Sequence, residues 1–181
     1  VMFILSVIII SIIYNLYKPS PQLPVYQPNQ FTKELVDSTL QRVRKFHKIG
    51  DFQLVNQYGD TISQADFEDN IYITDFFFTT CQTICPLMTK HMEQIQAEFK
   101  NDEEVLLLSH SVTPEIDDVE RLYKYDKEHN AIKGKWHLVT GDKKDIYKLA
   151  RQSYFTTKTT GDGGAYDMVH TENFVLIDKE K

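Results

Sequence analysis

Cysteine is almost absent from this chain of 181 residues: only Cys81 and Cys85 are present. Two thiols cannot build the disulfide framework of a small secreted domain. Basic charge is not in excess either, with 20 Lys and Arg against 26 Asp and Glu and a formal net charge of −6. That balance argues against nucleic-acid binding, which wants a basic face. No internal repeat is visible. What is present is ample core material, 41% hydrophobic residues including 11 Phe and 10 Tyr. A close cysteine pair on an otherwise cysteine-free chain then points to a redox or metal pair rather than a structural staple.

Residues 1–17, Val1-Met-Phe-Ile-Leu-Ser-Val-Ile-Ile-Ile-Ser-Ile-Ile-Tyr-Asn-Leu-Tyr17, carry no charge. They sit at the short edge of a membrane-spanning helix, which needs about 17–25 residues. No small-residue cleavage site follows the apolar run, so the expectation is an uncleaved, incomplete transmembrane anchor rather than a signal peptide. Pro19, Pro21, Pro24 and Pro28 make the next stretch a stiff tether, and residues 31–48 read as a polar connection with a short helix. The expected division is therefore an anchor over 1–17, a tether and linker over 18–48, and a globular domain over 49–181.

Within the domain, Phe52 to Ser63 reads as a hairpin turning at Gly59-Asp60. Buried strands are expected over 71–78, 105–109, 136–140 and 173–178, and helices over 86–100, 115–128 and 142–152. Val119, Leu122, Tyr123 and Tyr125 are expected near the buried side of the second helix. Strands alternating with helices imply an α/β sheet with helices on its faces. The chain ends three residues past its last strand, an unfinished sheet, so a truncated C-terminus is expected.

The chain is organised around Ile71-Tyr-Ile-Thr-Asp-Phe-Phe-Phe-Thr-Thr-Cys81-Gln-Thr-Ile-Cys85-Pro86. A doubly buried strand runs into a short polar loop, and a proline opens a helix. Both thiols sit at a helix N-terminus, where unpaired N–H groups and the dipole favour thiolate. Cys81 is expected to be the more exposed sulfur and Cys85 the more acidic one. The Cys-x3-Cys spacing lets both sulfurs face one point, to bond each other or share a metal. Two thiolates suit Cu(I), or zinc if two more donors join. Of the six histidines, His170 sits after a glycine-rich loop just before the last strand and is a candidate third ligand. His110, at a strand end, is a weaker one, while His47, His91, His129 and His137 read as packing or surface residues. Met88 and Met92 read as core, Met168 as a soft donor near the site, and Asp117 and Asp118 as first-turn helix residues.

Phe77-Phe-Thr-Thr-Cys81-Gln-Thr-Ile-Cys85-Pro86, Ser111-Val-Thr-Pro-Glu-Ile-Asp-Asp118, Trp136-His-Leu-Val-Thr-Gly141 and His170-Thr-Glu-Asn-Phe-Val-Leu-Ile-Asp178 together resemble the Sco/SenC family. The similarity runs from about Gly50 to the end, with the motifs in the family's order. The resemblance implies a thioredoxin-like fold, a central mixed sheet with flanking helices, behind a membrane anchor. It also implies a copper chaperone for cytochrome c oxidase assembly. Carried over, Cys81, Cys85 and His170 are the Cu(I) ligands, with Cu(II) binding left open. The implied partner is the copper-accepting subunit of the oxidase or a similar copper protein, and the domain is placed on the extracytoplasmic, periplasmic side. Two departures stand out: Val169 and Thr113 occupy positions where many members have Asp.

The same residues also suit a thiol–disulfide reductase, with Cys81 attacking and Cys85 resolving. A cupredoxin electron-transfer site would need a histidine at Thr89, and a peroxiredoxin would need a threonine at Phe78. An inert disulfide in an anchored domain is the remaining reading.

Overall fold

The computed structural model describes residues 2–17, 23–158 and 160–180. Among these residues six strands form one sheet, in the order β2-β1-β5-β4-β3-β6. β1 (Gln53–Asn56) and β2 (Thr61–Ser63) make the expected antiparallel hairpin. Its turn includes Gly59 at φ +83°, a conformation that favours glycine. β3 (Ile71–Phe77), β4 (Val105–Ser111) and β5 (Trp136–Thr140) run parallel, Thr74 opposite Leu108 and Ser109 opposite Leu138. β6 (Val175–Ile177) closes the other edge antiparallel to β3, with Val175 opposite Thr74.

α2 (Cys85–Glu98) and α3 (Val119–His129) cover one face, where Met92 and Leu122 pack with Phe77, Leu107, Trp136 and Leu138. α4 (Lys143–Lys148) and the π-helical turn Leu149–Ser153 cover the other, where Ile146, Tyr147 and Ala150 meet Tyr72, Phe76, Leu108 and Val139. Each face of the central strands is therefore dry, which explains the nearly continuous apolar runs of β3 and β4. On α3 the buried stripe is Leu122 and Asp126; Tyr123, expected inward, is exposed. Asp126 takes the inward position because Gln57 and Tyr58 both donate to its Oδ1.

Ahead of the domain, Met2–Tyr17 forms helix α1 of 16 residues. At 1.5 Å per residue it is about 24 Å long, short of the roughly 30 Å hydrocarbon core. Among the described residues no helix is long and apolar enough to cross a membrane; where an incomplete anchor is expected over 1–17, the structure holds this apolar helix alone. The tether is described only from residue 23. From there to residue 48 the chain holds turns and one 3₁₀ turn, Pro28–Gln30, in place of the short helix expected over 31–48. It lies against the domain: Val36 is buried, Phe31 and His47 contact Phe155, and His47 Nε2 meets the Ser153 carbonyl at 3.0 Å.

Candidate metal and thiol site

β3 ends at Phe77, and the loop from Phe78 carries Cys81 before α2 starts at Cys85. The turn is tied by the Cys81 N–H to the Phe78 carbonyl at 3.2 Å. Proline follows at the start of the helix, where its missing N–H is not needed. The Cys85 N–H donates to Cys81 Sγ at 3.4 Å, and Thr83 Oγ1 lies 3.6 Å from that sulfur. Both cysteines are reduced; Cys81 is half-buried and Cys85 is buried among Phe77, Met92, Leu107 and Trp136.

The two sulfurs differ sharply in acidity. Burial alone would raise Cys81, but hydrogen bonds from the Cys85 thiol and N–H and from Thr83 outweigh it and bring the group down to about 7. For Cys85, burial dominates, and its own hydrogen bond to Cys81 adds to it, pushing the thiol up to about 12. The order is the reverse of that expected from the helix N-terminus. The N–H of Cys85 points at the other cysteine's sulfur, so the helix start stabilises charge on Cys81. Iodoacetamide at increasing pH should therefore modify Cys81 with a midpoint near 7 while Cys85 stays unreactive up to pH 9. Equal modification of both sulfurs at neutral pH would refute this order.

Beneath the pair, on the same face of β3, lies Asp75, a carboxyl with 2% exposure whose Oδ1 has no partner among the described residues. Burial pushes it up to about 7, with a hydrogen bond from Ser109 pulling the other way. Ser109 Oγ in turn accepts from Trp136 Nε1 at 3.0 Å. An acid among Ile73, Phe76 and Phe77 was the available sequence signal, since a lone buried carboxyl costs free energy. Between the ordinary carboxylate pKa and about 7, the folded protein keeps a proton that the unfolded chain releases, so stability falls as pH rises through that window. Asp75→Asn should flatten that slope, gaining on wild type at pH 8 relative to pH 4 in urea unfolding. A parallel pH profile for the two proteins would contradict it.

His170 comes to the cysteine end of the sheet without joining the sulfurs. Because β6 runs antiparallel to β3, the residues before Val175 travel towards the cysteine loop, and Phe174 packs in the cluster that holds Cys81, Ile84 and Cys85. Val169 is buried with 1% exposure, and His170 beside it is exposed. Among the described residues no three His, Cys, Asp or Glu side chains gather closely enough to hold a metal. The loop before His170 is fixed by Arg151, whose two terminal nitrogens donate to both Asp167 oxygens at 2.7 and 2.8 Å, and by the Gly163 N–H donating to Asp167.

The remaining candidates settle as packing. His110 is buried between Phe76 and Tyr154, its Nδ1 3.0 Å from Thr74 Oγ1, and burial brings it down to about 3. Met88 and Met92 are core, and Met168 is half-exposed, its Sδ 3.8 Å from the Tyr147 hydroxyl. His91 is an exposed residue of α2, and His129 pairs with Glu93. Asp118, expected in the first turn of this helix, stands just before it as the N-cap, accepting from the Arg121 N–H. Asp117, also expected in that first turn, lies ahead of the helix and turns inward to Thr79, Ser111 and Thr113.

The SCO1/SenC family model matches residues 41–181. A SCO1/SenC family lipoprotein from Bacillus anthracis superposes with a TM-score of 0.64 at 30% identity, covering 74% of this chain and 79% of the other. BsSco, a member of the Sco family of cytochrome c oxidase assembly proteins in which a disulfide switch was identified, gives 0.61 at 29% identity over 74% and 78%. ScoI of Bradyrhizobium japonicum, solved with copper bound, gives 0.58 at 26% over 74% and 84%. The α/β fold is the thioredoxin-like one of these neighbours, and the chain belongs to the SCO1/SenC family.

Proposed function

We propose that this protein binds Cu(I) as cargo and passes it to a copper-accepting protein of a respiratory oxidase. The observation that carries this reading is the cysteine pair itself: two reduced thiols, the backbone N–H of Cys85 donating to Cys81 Sγ, and Cys81 half-exposed at the open end of the sheet. Two soft sulfurs at one point suit Cu(I), and Cys81 already stands near its thiolate form at neutral pH. His170 supplies the third donor from the stretch ahead of β6. Copper bound to Bradyrhizobium japonicum ScoI and the assembly role of the Sco family support the same assignment. Binding releases the thiol protons that remain, so affinity rises with pH.

Apolar α1 attaches the domain to a membrane, on the extracytoplasmic side, and the relation to a family lipoprotein supports attachment. The division into anchor, linker and copper-binding domain belongs to this proposal.

A second reading is favoured by the split acidity: an acidic, exposed Cys81 with a buried partner suits attack on a target's disulfide followed by resolution by Cys85. In that step two target thiols form and the Cys81–Cys85 disulfide is made. X-ray absorption of the copper-loaded protein separates the two. Two sulfur scatterers and one nitrogen about copper support the chaperone, whereas weak, heterogeneous copper beside rapid reduction of a Cys-x3-Cys peptide disulfide supports the reductase.

A further inference from the structure

Thr79, two residues ahead of Cys81, is gripped at both polar groups by one carboxylate. Its backbone N–H donates to Asp117 Oδ2 at 3.2 Å and its hydroxyl to Oδ1 at 2.5 Å. Asp117 has 0% exposure and lies on the segment joining β4 to α3. Its Oδ2 also accepts from Ser111 Oγ at 2.6 Å and from Thr113 Oγ1 at 3.0 Å. Arg121 completes the group: its Nε donates to Thr79 Oγ1 at 2.7 Å and lies 3.7 Å from Asp117 Oδ1.

Asp117 does no capping work for α3, since Asp118 accepts the N–H that a cap must satisfy. Its hydrogen bonds instead tie together the chain just past β3, the end of β4 and the loop after β4, with Arg121 adding the first turn of α3. Between Phe77 and Cys85 the loop has few other tethers. A four-donor carboxylate at Thr79 therefore decides where the chain leaves the sheet on its way to Cys81.

We propose that Asp117 is the positioning residue of the cysteine pair, clamping Thr79 so that the loop holds Cys81 Sγ against the Cys85 N–H. The inference rests on reading Cys81 and Cys85 as the working pair. Sulfur separation and dihedral set how readily a disulfide closes, so a looser loop shifts the balance between dithiol and disulfide. An Asp117→Asn side chain keeps the volume but replaces an accepting oxygen with a donor facing other donors.

The test is the equilibrium constant of the full chain with glutathione, measured for wild type, Asp117→Asn, Thr79→Val and the double variant, with urea unfolding followed in parallel. Each single change should shift the constant by about tenfold, and the double variant should go no further than the larger single, because both break one contact. Constants within about twofold of wild type, with only the unfolding midpoint lowered, would overturn the proposal, as would additive shifts. If Asp117→Asn does not fold, Thr79→Val and Arg121→Gln are read by the same criterion on the size of the shift. A wild-type pair that neither equilibrates with glutathione nor binds Cu(I) overturns the reading of the cysteines and this proposal with it. A responsive wild type with unresponsive variants overturns the proposal alone.

Discussion

Trp136→Ala should lower stability by about 4 kcal/mol, the scale of deleting a large side chain from a packed core. Trp136 has 1% exposure and stands opposite Leu107 in the middle of the sheet, facing Leu122 and Leu138. No other element can collapse into the space, because strands lie on both sides of β5 and α3 lies above it. The indole N–H also donates to Ser109, which in turn supports buried Asp75, so the change removes a donor from the Ser109 oxygen as well as opening a cavity. In thermal unfolding followed by circular dichroism the midpoint should fall by about 10 °C. Trp136→Phe, which keeps most of the volume, should cost less than half as much. A loss under about 1 kcal/mol for the alanine variant would show that this face is less tightly packed than its burial implies.

Cys85→Ala should weaken Cu(I) binding by about a thousandfold, a loss near 4 kcal/mol. One soft ligand disappears, and so does the thiol that donates to Cys81. The two effects act together on the metal: with its donor gone, Cys81 titrates above 7, and a larger share of it must be deprotonated by the incoming ion. The fold should be little disturbed, since alanine suits a helix start and Pro86 still opens α2. Chelator competition at pH 6 and pH 8 reads both parts, with the deficit larger at the higher pH, because only wild type must also shed the Cys85 proton to bind. An affinity within about tenfold of wild type would show that Cys85 is packing rather than ligand.

Much of this architecture is legible in the sequence because its signals are local. The β-branched and aromatic run of β3 requires two covered faces, and α2 and α4 supply them. The hairpin at Gly59, the limits of β5 and the junction carrying both cysteines follow from turn residues, alternation and Pro86. What is not legible depends on partners distant in the chain. The acidity of the sulfurs is reversed from the local expectation because Cys85 enters the cluster of Leu107 and Trp136, 22 and 51 residues away along the sequence numbering. Asp117 reads like its neighbour Asp118 until Thr79, Ser111 and Thr113 converge on it. The π-helical turn that ends α4 interrupts a helix expected to run to Gln152, and it places Arg151 against Asp167. His170 faces outward because Val169 takes the adjacent core position, a choice made by packing and not by the motif.

His170 is therefore where the account is most exposed to test. The decisive measurement is anaerobic Cu(I) titration of the reduced protein against a tight chelator, wild type beside His170→Ala. Wild type should bind one equivalent tightly, and the variant, with both thiols intact, should bind at least tenfold more weakly, a loss on the order of 1.4 kcal/mol. Equal affinities would contradict the three-ligand site and leave the cysteine pair to be explained by thiol–disulfide chemistry.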